Sequence, residues 1–113
     1  MSDPLEETPP PTALEPAVDH TMLDRIILRS SPDVRGTTME GETVLLDLST
    51  GRYYTLNRLG SVIWEHCTGH STISDIHAVL CDRFDVSPDR ALDDLVTLVN
   101  HLVQEGLLQQ ERR

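Results

Sequence analysis

VRGTTMEGETVLLDLSTGRYYTLN, residues 34 to 57, is the stretch on which the fold turns. Two short turns punctuate it, Glu40-Gly41-Glu42 and Ser49-Thr50-Gly51, each holding a glycine that can take positive φ without steric cost. The segments between them, VRGTTM, TVLLDL and RYYTL, have the length of ordinary strands and carry β-branched and aromatic residues. The spacing therefore predicts a three-stranded antiparallel meander. In the middle strand Val44, Leu46 and Leu48 alternate with Leu45, Asp47 and Ser49, which predicts that the first set looks into the core. In the last strand Tyr54 and Leu56 share one face, and Tyr53 and Thr55 the other. The chain has four aromatic residues and places two of them here. An ordinary core strand, a sheet edge kept for a partner and the wall of a catalytic pocket would each use such a pair.

Beyond Asn57 the apolar period changes from 2 to 3.6. Leu59, Val62, Ile63 and Cys67, flanked by Trp64, predict a first helix with Gly69 as its stop. A second helix starts after Thr72, which Asp75 can answer as a capping-box pair, and turns Ile73, Ile76, Leu80 and Phe84 inward. The third start is the clearest: Ser87 as N-cap, Pro88 at N1 and Asp89 facing the helix dipole. That helix should run to about Glu105, with Gly106 just beyond it. Its apolar positions, from Leu98 round to Val96, fill an arc of about 160°, wider than the ~100° stripe of a one-sided helix. Such an arc suits a central helix touching several neighbours, or a helix with one edge open as a groove. The fold class is α+β and winged helix-turn-helix-like, a three-stranded antiparallel sheet followed by three helices.

Length and charge narrow the function. At 113 residues the chain holds at most one domain. Residues 1 to 24 contain five of the seven prolines and six acidic residues with no Lys or Arg, a composition that predicts a disordered tail. The domain is expected over residues 25–109, with 110–113 as a C-terminal tail. Ile26-Ile27-Leu28 reads as a lead-in strand or as a segment covering the core. A net charge of −10, from 19 acidic and 9 basic residues, repels phosphate backbones and makes nucleic acid a poor partner. The start of the chain has neither the positive n-region nor the apolar h-region of a secretory signal, and no run is long enough to span a membrane. A cytoplasmic protein with reduced Cys67 and Cys81 is the expectation.

Three rival chemistries can be drawn from spacing. Cys67 and His70 form C-x₂-H, and His77 and Cys81 form H-x₃-C, a four-ligand zinc pattern on paper. Against it, Cys67 falls on the apolar stripe of the first helix, where a free cysteine is ordinarily a small core hydrophobe. A catalytic nucleophile would need a fixed base beside it, and none is legible. A DNA-reading winged helix would send the third helix into the major groove, yet that helix offers Arg90 against Asp89, Asp93, Asp94 and Glu105.

VLLDLSTGRYYTLNRLGSVIWEHCTG, residues 44–69, followed by DVSPDRALDDLVTLVNHLVQEGLL, residues 85–108, resembles the PqqD-like RiPP recognition elements, over about residues 25 to 108. The resemblance is carried by the leucine-rich middle strand, Gly51, the tyrosine pair, Leu56-Asn57, Gly60, Ile63-Trp64 and Gly69. It continues with Asp94, Leu98, Leu102 and Gly106-Leu107-Leu108. It implies a non-catalytic module, without cofactor or metal, that binds the leader region of a ribosomally made precursor peptide. The peptide would add as an antiparallel strand to residues 52–56 and lie against the third helix. On that basis the expected peptide contacts are Arg52, Tyr53, Tyr54, Thr55, Leu56, Asp94, Leu95, Leu98 and Leu102. The stand-alone form is most similar to lasso-peptide pathway members, which implies a leader protease or another peptide-modifying enzyme as a further partner.

Overall fold

The computed structural model describes residues 23–112. The expected N-terminal tail lies outside them except for Leu23 and Asp24, which belong with the folded part. Ser74 donates its N–H to the Leu23 carbonyl (3.2 Å) and its hydroxyl to Asp24 (2.5 Å). The chain order is β1 (Ile26–Ser30), β2 (Val34–Met39), β3 (Glu42–Asp47), β4 (Arg52–Leu56), α1 (Arg58–Glu65), β5 (Thr68–Thr72), α2 (Ile73–Arg83), α3 (Pro88–Gln104) and β6 (Leu108–Arg112).

The meander β2-β3-β4 is antiparallel throughout. Met39 pairs with Glu42 across a two-residue turn in which Glu40 and Gly41 both have positive φ, 54° and 83°. That is the mirror-image turn whose twist matches the flanking strands. The second turn is held by Asp47, whose carbonyl accepts from the Gly51 N–H (2.7 Å) and whose carboxylate accepts from the Ser49 N–H and hydroxyl (3.0 and 2.7 Å).

The inward face of β3 is the opposite of the one expected. Thr43, Leu45 and Asp47 are buried, while Val44 and Leu48 are 43% and 54% exposed and Leu46 is half-buried. Since Val44, Leu45 and Leu46 are all apolar, alternation alone cannot choose a face. Satisfied polar groups allow the choice made. The Thr43 hydroxyl donates to Ser61 Oγ (2.8 Å) and meets the Thr38 hydroxyl (2.7 Å), and Ser61 passes its own proton to the Asn57 carbonyl (2.8 Å). A buried hydroxyl with its partners in place costs little.

All three helices are capped at their N-termini, α2 and α3 by the residues expected. Asn57 accepts from the Gly60 N–H (2.8 Å), Thr72 and Asp75 close a reciprocal box (3.1 and 2.9 Å), and Ser87 accepts from the Arg90 N–H (3.2 Å) ahead of Pro88. At the far end of α3, Gly106 has φ 78° and donates to the Val103 carbonyl (3.0 Å), and Leu107 donates to that of Leu102 (2.8 Å). This is the bonding of a Schellman cap.

A second sheet, in the order β5-β1-β6, completes the molecule. Gly69 therefore does not stop α1, which ends at Glu65. It lies in β5 with φ 90°, and the Arg29 guanidinium occupies the space a side chain would need, 2.7 Å from an added Cβ. Residues 110–112, expected in a tail, are rungs of β6 against Ile26, Ile27 and Leu28. Neither TGHST nor LQQER has an apolar alternation, so only the distant pairing with β1 makes them strands. The core between the sheets and helices is built on Leu28, Leu45, Leu56, Ile63, Ile76, Leu80, Leu95 and Leu102.

Candidate functional site

Strand β4 pairs with β3 on one side and, among the described residues, with no strand on the other. An edge with no neighbouring strand is a template for another strand. The C-terminal end of helix α3 reaches β4. Near the start of β4 the Tyr54 hydroxyl donates to Glu105 Oε1 (3.0 Å), and Arg52 Nη1 lies 3.9 Å from the same oxygen. Just past the end of β4, Leu98 reaches Gly60, where its Cδ2 would lie 3.2 Å from an added Cβ. The C-terminal end of α3 is thus tied to β4, and Leu98 packs against Gly60 of α1.

The two tyrosines divide as the strand pleat requires. Tyr54 points inward, half-buried, and burial together with its bond to Glu105 pushes its phenol above the ordinary tyrosine range. Tyr53 is 70% exposed and stands opposite Leu46 on the outer face of the sheet, with Met39, Val44 and Leu48 also exposed. Thr55 and Arg52 are exposed.

The remaining expected contacts separate into rim and core. Leu56, Leu95, Leu98 and Leu102 are at most 2% exposed. They belong to the domain's core. Of the apolar arc of α3, Ala91, Leu95, Leu98, Val99 and Leu102 are buried, and Leu92, Val96 and Val103 are half-buried. Asp94 keeps its place at the rim, 3.7 Å from Arg90 and about half exposed. On the helical wheel the side of α3 toward β4 continues from Asp94 and Leu98 to His101 and Glu105. Sequence reasoning passed over His101 and Glu105, yet both lie at helical spacings from Leu98, +3 and +7, and that was the available signal.

The zinc pattern does not assemble. Cys67 is buried, its thiol donates to the Ile63 carbonyl (3.2 Å), and burial pushes that thiol up to about 12, where it is a poor ligand. His77 Nε2 contacts Cys81 Sγ (3.5 Å) and the Pro88 carbonyl (2.9 Å) on the side of α2. Among the described residues no three His, Cys, Asp or Glu side chains gather as a metal site, and no helix is long and apolar enough to cross a membrane.

Comparison with known proteins finds solved structures and a family that resemble this chain. TbiB1, whose structure is a complex with the TbiA(beta) leader peptide, is 28% identical with a TM-score of 0.67, over 72% of this chain and 94% of that one. A lasso peptide synthetase B1, complexed with the leader peptide, is 24% identical with a TM-score of 0.65, over 73% and 96% of the two chains. The heterocyclase TruD is similar in fold, 19% identical with a TM-score of 0.56, where 76% of this chain matches 12% of the longer one. Comparison with curated proteins gives no match. The family described as Coenzyme PQQ synthesis protein D (PqqD) matches residues 42–108, which span β3 to the start of β6 and include the whole β4–α3 bridge. With more than half of its length matched, the chain belongs to the PqqD family.

Proposed function

We propose that the chain is a leader-peptide recognition module. A precursor peptide's leader adds as an antiparallel strand to β4 and lies along the Asp94–Glu105 side of α3. The module then presents it to a separate leader protease or other modifying enzyme and takes no chemical part itself. The observation that carries this reading is the β4 edge that no strand covers among the described residues, tied to α3 by Tyr54 and Glu105. Main-chain bonds along such an edge give affinity with little sequence demand, while side chains on either side give selectivity. The leader peptide in the TbiB1 structure supports the choice of ligand.

The test uses hydrogen exchange on the full chain with synthetic leaders taken from precursor reading frames beside the gene. Alternate backbone amides of Arg52–Leu56 should become protected on binding, and N-methylation of the peptide amides that face β4 should remove most of the affinity. Binding with unchanged exchange in β4 would refute strand addition. Leu98→Glu is a poor probe here, because Leu98 is 2% exposed and the change would unfold the core.

A further inference from the structure

Resting on strand addition at β4, we propose that Glu105 reads a basic side chain, Arg or Lys, at the C-terminal end of the bound peptide strand. An antiparallel guest runs opposite to β4, so it leaves the ladder beside Arg52, where β4 begins. Glu105 stands at that exit. Both of its contacts to β4, the Tyr54 hydroxyl and Arg52, meet it there at Oε1.

Two further features favour a cation there. Glu105 is the C-cap of α3, where the helix's terminal carbonyls add negative potential. Its side chain is 25% exposed, so a pair formed on it is screened less than one between fully solvated groups. The local competitor is Arg52, but its side chain is 66% exposed and its nearest nitrogen is 3.9 Å away, at the loose limit of an ion pair. A guest ammonium or guanidinium at hydrogen-bond distance makes the stronger contact. The net charge of −10 draws basic peptides from a distance.

The probe is a set of fluorescein-labelled 20-residue peptides tiling the precursor frame beside the gene, titrated by anisotropy against the full chain at low and high salt. The tightest tile should carry Arg or Lys where the β4-protected segment ends. Replacing that residue by Gln should weaken binding five- to tenfold with the natural protein and less than twofold with Glu105→Gln. Glu105→Lys should restore affinity for a peptide bearing Glu at that position. Tyr54→Phe, which removes a bond to Glu105 but keeps its charge, should retain the preference. Circular dichroism confirms that each variant is folded. Equal binding of the Arg and Gln peptides by the natural protein overturns the assignment while leaving strand addition standing. Failure of every tile to bind overturns both.

Discussion

Asp47 illustrates how one residue can hold a turn through its charge. Ser49, bonded through its hydroxyl and N–H, keeps the Asp47 carboxylate below the ordinary aspartate range. A carboxyl depressed on folding stabilises the native state above its unfolded pKa, about 3.9, and that contribution is lost as pH falls through the folded value. The acid side of the stability profile should therefore steepen below about pH 4, and Asp47→Asn should lower stability at neutral pH and flatten that acid limb. Urea titrations at stepped pH make the comparison. If the two proteins trace the same acid limb, Asp47 has no such role. At this scale much was legible. Ser87, Pro88, Thr72 with Asp75, and Gly106 act through bonds that close within five residues, so their meaning is present in the local sequence. Leu95, Leu98 and Leu102 are expected contacts through the family resemblance alone, because apolar residues mark both cores and binding walls and the sequence carries no signal to separate the two.

For a whole element the deciding information is often its partner. The three strands of the meander follow from turns and alternation, whereas β5 and β6 exist because β1 offers both its edges to them. The inward face of β3 was illegible for a related reason, since both its alternating sets contain leucine and the selecting hydroxyls sit on Thr38 and Ser61, in other elements. Helix α3 is the case where local signals suffice for the limits of an element, though not for its exposed side. Its terminal glycine provides a clean check. Nothing lies within 4 Å of a Cβ added at Gly106, so Gly106→Ala costs only the strain of φ 78°. We expect a loss of about 1–2 kcal/mol, measured by urea unfolding, with no change in peptide affinity. A loss of affinity without a loss of stability would mean that the α3 end shapes the site rather than merely ending the helix.

The whole molecule is closed by its last strand. Leu108 is 3% exposed and pairs with Ser30, so removing residues 108–113 strips one edge from the β5-β1-β6 sheet. Loss of the Leu108 side chain from the core alone should cost about 2–3 kcal/mol, whereas the Arg29–Glu111 pair, with both side chains nearly half exposed, should contribute little. Thermal melts of the truncated and full chains, compared with Arg29→Gln, separate the two contributions. A truncated chain as stable as the full one would show that the sheet is complete without β6.

Ile26 and Arg112 are partners on adjacent strands, so the backbone enters and leaves the domain at nearly the same place. A unit with that geometry can be spliced into a host protein through two neighbouring joints, leaving its interior closed. The same fold can then serve as a detachable subunit or as a small insert within a larger chain, and its β4 edge need not be redesigned for either arrangement.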